Sequence, residues 1–226
     1  MLFANISQAP QDAILGLTEA FRKDTNPDKI NLSVGVYQDE TGKTPVLECV
    51  DQAEHRLLQQ GASKSYLPIT GLAEYASDVQ NLLFGDSHEV VMSGRCVTVQ
   101  TPGGTGALRV AADFVKSNLP GASVWVSSPT WPNHHGIFHA AGLEVKTYPY
   151  FNPVTNGLRF EEMVATVSEI PSGDVILLHG CCHNPTGIDP TAQQWQTLAK
   201  VIAERGLLPL LDFAYQGLDH GLPKIA

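Results

Sequence analysis

The chain has 226 residues, 43% of them hydrophobic, enough to bury a sizeable core as one large domain or one and a half. Its net charge of −9, with Lys and Arg scattered singly, argues against a nucleic-acid surface and against a polybasic membrane patch. No apolar run is long enough to span a bilayer, and residues 1–17 carry no basic segment followed by an apolar core, so neither a membrane span nor a secretory signal is expected.

Residues 1–45 read as an arm and loop, with a short amphipathic helix near Asp12–Lys23, a strand-like segment at Ile30–Tyr37 and a turn at Thr41-Gly42-Lys43. From Val46, the apolar positions Leu47, Val50, Ala53, Leu57 and Leu58 fall at helical spacing. A second helix is predicted from about Leu72 to Phe84. Beyond it, short apolar runs alternate with helical stretches. Strands are expected at Val97–Gln100, Val124–Ser127, Val145–Tyr148, Val175–Leu178 and Leu207–Asp212. Helices are expected over 105–118, 132–141, 160–169 and 190–205, the last with Asp189 as N-cap, Pro190 at its first position and Gly206 at its end. This alternation predicts an α/β fold, a mainly parallel sheet flanked by helices. The expected division is 1–45 as arm and 46–226 as the sheet-bearing domain.

Ligands of such sheets bind at the carboxyl ends of the strands, where several unusual segments fall. Gly103-Gly104-Thr105-Gly106 joins a strand to a helix. Glycines admit a ligand close to the backbone, and free N–H groups at a helix start favour an anion; the alternative is a plain tight turn. Asp212 ends an apolar strand, where a carboxylate is costly without a partner. A protonated heterocycle nitrogen is one such partner; a helix N-cap or a metal-holding role are the alternatives. Asn184 and Tyr215 could donate to a phenolate oxygen on such a ring, and Trp131, between Pro129 and Pro132, could stack on its face or sit in the core.

His134, His135, His139, His179 and His183 suggest metal binding at first sight. No Glu follows His135 as the metalloprotease pattern requires, so no metal site is expected and most are read as structural. His134 is kept as a residue behind Asp212 that orients its carboxylate. Cys49, Cys96, Cys181 and Cys182 form no Cys-x-x-Cys pair and read as reduced thiols of a cytoplasmic protein.

Taken together, Gln100-Thr101-Pro102-Gly103-Gly104-Thr105-Gly106-Ala107, His183-Asn184-Pro185-Thr186-Gly187 and Asp212-Phe213-Ala214-Tyr215-Gln216-Gly217 closely resemble class I pyridoxal-phosphate-dependent aminotransferases, the aspartate and aromatic amino-acid branch. Gly35-Val36-Tyr37-Gln38-Asp39-Glu40-Thr41-Gly42-Lys43-Thr44-Pro45, Tyr66-Leu67-Pro68 and Leu82-Leu83-Phe84-Gly85 extend the likeness. It covers nearly the whole chain but only the N-terminal half of a family protein. The fold it implies is the large domain of fold-type I enzymes of this cofactor, short of its last strands, with part of the small domain in 1–45.

The resemblance implies pyridoxal 5'-phosphate as cofactor, with Gly103, Gly104 and Thr105 on its phosphate, Trp131 on its ring, Asp212 at the ring nitrogen and Asn184 and Tyr215 at the phenolic oxygen. Gly35, Trp131 and Asn184 would face the substrate, and Tyr66 would reach the cofactor phosphate of a partner in a homodimer. The implied reaction moves an amino group from an amino acid to a 2-oxo acid such as 2-oxoglutarate. The implied Schiff-base lysine, in a Ser-x-Ser-Lys segment, is not among these residues, and Lys224 lies outside that context. The expectation is therefore an inactive chain by itself, with an unpaired sheet edge. A non-catalytic module that pairs with a full-length subunit, or a non-covalent binder of the cofactor, are the alternatives.

Overall fold

The computed structural model describes residues 17, 20–30 and 37–218. Most of the helix expected near Asp12–Lys23, the core of the expected strand at Ile30–Tyr37, Gly35 and Lys224 lie outside the described residues. The chain divides into two compact units, Met1–Ser65 and Tyr66–Ala226.

In the first unit, the Lys29 ammonium donates to the carbonyls of Phe21 and Asp24 at 2.7 and 2.6 Å, tying the end of a helical turn. The turn at Thr41-Gly42-Lys43 is built on Asp39, whose carboxylate accepts from the N–H groups of Thr41 and Lys43. Helix α1 (Glu48–Gln60) ends at Gly61 in the left-handed region, φ 54°, and buries none of its residues within the described structure.

The second unit opens with α2 (Ala73–Phe84) and the short α3 (Glu89–Met92). Then come α4 (Gly103–Asn118), β1 (Ser123–Ser128), α5 (Pro132–Ala140) and β2 (Glu144–Pro149). A small antiparallel hairpin, β3 (Phe151–Asn152) with β4 (Gly157–Leu158), was not expected from the sequence. The chain continues through α6 (Phe160–Glu169), β5 (Val175–His179), α7 (Ala192–Arg205) and β6 (Leu208–Asp212).

The sheet is parallel throughout, in the order β2-β1-β5-β6. All five residues of β5 are buried, and successive side chains point to opposite faces. Val175 and Leu177 join Val124 and Val126 of β1, Leu108, Ala112 and Val115 of α4 and Phe138 of α5 in one core. Ile176 and Leu178 join Met163 and Val167 of α6 and Leu198 and Ile202 of α7 in the other. A run of Val, Ile and Leu without polar alternation is what a strand covered on both sides requires.

Two expectations need correction. Val97–Gln100 is not a strand: its bond to Thr70, from the Gln100 N–H at 2.9 Å, is not continued into a ladder, and Val97 and Val99 are exposed. Apolar β-branched residues favour an extended chain, but a strand exists only beside a neighbour. Helix α7 is capped by Thr191, not Asp189. The Thr191 hydroxyl accepts from the Gln194 N–H while the Gln194 side chain accepts from the Thr191 N–H, a reciprocal capping box. Asp189 is engaged elsewhere, at the candidate site.

Candidate active site

Parallel pairing puts the C-terminal ends of β1, β5 and β6 side by side on one edge, with His179 in register with Asp212. The residues just beyond these ends meet. Cis Pro129 and Thr130 follow β1, Trp131 is the N-cap of α5, and His134 sits in the first turn of that helix, fully buried.

Four side chains form a continuous line. The Asn184 N–H donates to His179 Nδ1 at 3.3 Å. His179 Nε2 lies 3.1 Å from Thr130 Oγ1, Thr130 Oγ1 lies 2.7 Å from His134 Nδ1, and His134 Nε2 lies 3.0 Å from Asp212 Oδ2. The two ends fix every role between them. A backbone N–H can only donate, so His179 Nδ1 accepts and its proton is on Nε2, given to Thr130. The Thr130 hydroxyl then donates to His134 Nδ1, and His134 gives its Nε2 proton to a carboxylate that can only accept. The hydrogen bond from His134 holds the Asp212 carboxyl below its ordinary range, against the opposing effect of burial. The Ala214 N–H takes the other oxygen at 3.2 Å. Burial in turn pushes the His179 imidazole down to about 4.

Trp131 is partly buried, its ring edge-on to His134 at 5.4 Å between centroids. The first turn of α4 has no side-chain cap: the Gly103 N–H donates to the Thr101 carbonyl at 2.9 Å, while those of Gly104 and Thr105 have no hydrogen-bond partner among the described residues. Gly103 needs glycine for its φ of +73°. Gly104 does not: its φ is ordinary, and a Cβ there would meet nothing within 4 Å. A glycine with neither reason in the protein fits a cradle whose occupant presses on the backbone.

Asn184 is half-buried and its side-chain amide has no hydrogen-bond partner among the described residues; the same holds for the Tyr215 hydroxyl. The structure thus brings Trp131, His134, Asn184, Asp212 and Tyr215 to one sheet edge. Gly103, Gly104 and Thr105 lie at the start of α4, on the same unit. Tyr66 is fully exposed, and Gly35 falls outside the described residues. No group of three or more His, Cys, Asp or Glu stands in a metal-holding arrangement among the described residues, and no described helix is long and apolar enough to cross a membrane.

Sequence reasoning missed Thr130, His179 and His183 as members of the site. His179 has a legible signal: it ends the strand next to the one that ends in Asp212. Thr130 has none in local pattern, because its role depends on the approach of two histidines 4 and 49 residues away.

The model of aminotransferase classes I and II matches residues 27–226. The chain belongs to this family. It is 56% identical to the aspartate aminotransferase of Salmonella typhi, covering 100% of this chain and 57% of the relative. It is 47% identical to the aromatic-amino-acid aminotransferase of Escherichia coli, again over 100% of this chain and 57% of the relative. Among solved structures, the aromatic amino acid aminotransferase of Burkholderia pseudomallei, covalently bound to pyridoxal phosphate, superposes with a TM-score of 0.94 at 46% identity, over 98% of this chain and 56% of that one. The chain therefore spans about 57% of the length of the curated relatives it matches.

Proposed function

We propose that these residues form the pyridoxal 5'-phosphate cradle of an aminotransferase that moves an amino group between aspartate or an aromatic amino acid and a 2-oxo acid such as 2-oxoglutarate. The observation that carries the reading is the Asn184–His179–Thr130–His134–Asp212 line, which ends in a carboxylate held ionised at a strand end. Pyridoxal 5'-phosphate, when bound, supplies a ring that withdraws electrons from the carbon bearing the amino group, provided its nitrogen is protonated.

Asp212 holds that proton in place by charge, and His134 holds Asp212 in its charged form. The open N–H groups of Gly104 and Thr105 suit a phosphate, with Gly103 turning the chain so that they face it. Trp131 offers a ring face, and the unpartnered Asn184 amide and Tyr215 hydroxyl suit the phenolic oxygen. The family resemblance would give Gly35, Trp131 and Asn184 to the substrate side. Tyr66, fully exposed, suits a contact with the partner of a homodimer. The expected setting is the cytoplasm.

By these residues alone the cofactor would be held reversibly. The described lysines of the second unit are committed away from Asp212: Lys116 donates to the Gly142 carbonyl at 2.6 Å, Lys146 pairs with Glu144 and Lys200 with Glu204. A second reading, pairing with a full-length subunit, is favoured by β6, whose outer edge has no partner among the described residues and whose Leu208 and Leu211 are exposed. Borohydride reduction of the cofactor-loaded chain, followed by peptide mass spectrometry, tests the first reading. Saturable absorbance changes with no labelled lysine are expected. Absence of cofactor binding overturns the cradle, and a stoichiometric label on one lysine overturns the reversible mode. A changed rate when the chain is mixed with a full-length relative would favour the second reading.

A further inference from the structure

A second set of contacts surrounds His183, which the line to Asp212 does not use. The His183 ring is 1% exposed. Its Nε2 lies 2.8 Å from Ser127 Oγ, on β1, and its Nδ1 lies 2.7 Å from Thr186 Oγ1, in its own turn. Tyr150 stacks on it at 3.8 Å and 13°, and donates its hydroxyl to the Ile188 carbonyl at 2.6 Å. The Asp189 carboxylate accepts from the N–H groups of Cys182 and His183 at 2.6 and 2.8 Å. Thr186 Oγ1 also accepts from the Ile188 N–H. Cys182 holds a φ of +49°, which a non-glycine residue keeps only when its surroundings impose it.

The backbone over 182–189 is thus fixed from four directions: β1, Tyr150, Asp189 and its own Thr186. Amid this, the side-chain amide of Asn184 has no hydrogen-bond partner among the described residues. We propose that His183 is a positioning residue: its ring is the strut that fixes the Asn184–Thr186 turn against β1 and so aims the Asn184 amide. The ring serves because it is flat enough to stack on Tyr150 and carries a polar atom at each end, 2.8 and 2.7 Å from hydroxyls on two different elements. What the amide is aimed at rests on the proposed function; that it is aimed does not.

The test has two readouts on the 226-residue chain. The first needs no cofactor: the side-chain amide signals of Asn184 in a 15N-labelled sample, assigned by their loss in Asn184→Ala. One sharp pair is expected in the unaltered chain, and a shifted and broadened or split pair in His183→Phe, which keeps the stacking ring and removes both hydrogen bonds. Unchanged signals overturn the proposal. The second is affinity for pyridoxal 5'-phosphate by absorbance titration. His183→Phe should weaken it about ten-fold in the unaltered chain and less than about two-fold in the Asn184→Ala background. Equal weakening in both backgrounds means that His183 acts by another route, and overturns the proposal. If the unaltered chain binds no cofactor, the proposed function falls while the amide signals still decide. If His183→Phe loses its far-UV circular dichroism, Ser127→Ala and Thr186→Val each cut one end of the strut, and the same signals decide.

Discussion

Acid should weaken this fold well before its carboxylates titrate. Burial, reinforced by neighbouring imidazoles, pushes His179 down to about 4 and His183 down to about 3, from an ordinary value of 6.5. The unfolded chain therefore binds protons at these two positions that the folded chain refuses. With folded values below unfolded ones, stability is fully present above the unfolded value of 6.5 and is lost as pH falls through it toward the folded values. Between pH 7.5 and pH 5 each ring loses close to 1.36 kcal/mol per unit below 6.5, or about 2 kcal/mol. The two together remove about 4 kcal/mol, a large fraction of the stability of an ordinary domain. Over this window the size is set by the unfolded value, because both folded values lie lower still. Urea unfolding followed by tryptophan fluorescence at pH 7.5, 6 and 5 measures it. His183→Gln, which cannot be protonated, should halve the slope. A free energy that is flat to within about 1 kcal/mol across the window, or a full slope in His183→Gln, would refute the reasoning.

Other outcomes follow from the same geometry. Asp212→Asn removes the charge but keeps the shape, and should weaken pyridoxal 5'-phosphate binding at pH 7.5 about ten-fold in an absorbance titration; because the carboxylate lies below its ordinary range in the fold, the change should also lower the urea midpoint at that pH. Gly104→Ala should leave urea stability within about 1 kcal/mol of the unaltered chain, since its Cβ meets nothing within 4 Å, while weakening binding of the cofactor and of competing inorganic phosphate. Leu177→Ala, in a fully buried position of β5, should cost about 2–5 kcal/mol in the same unfolding assay.

Much of this architecture is legible in the residues. The apolar runs at Val124–Ser127 and Val175–Leu178 and the helical stripes between them predict β1, β5 and the helices within one or two residues. They are legible because both faces of a buried parallel strand impose the same chemistry on every position. Val97–Gln100 has the same local composition and no ladder, since pairing belongs to the neighbour and not to the segment. The cap of α7 was readable from Thr191 and Gln194, three apart; Asp189 is an equally good capping residue by type, and only the fold shows it turned back on Cys182 and His183. The ionised Asp212 is suggested by its place at a strand end, but the hydroxyl of Thr130 that orders two histidines behind it comes from contacts across 49 residues of sequence. Local periodicity holds no trace of such a contact.

The central strand β5 gives alternate side chains to the two helical layers, Val175 and Leu177 to one, Ile176 and Leu178 to the other. Neither layer owns it. A fluctuation that frees α4 and α5 strips one side of β5, and one that frees α6 and α7 strips the other, so the loss of either layer undermines the wall that supports the remaining one. The layers consequently melt as one cooperative unit, and the amide hydrogens of β5 belong among the last in the second unit to exchange with solvent. His179, at the end of that strand, hangs the line of hydrogen bonds to Asp212 on the part of the sheet that opens least often.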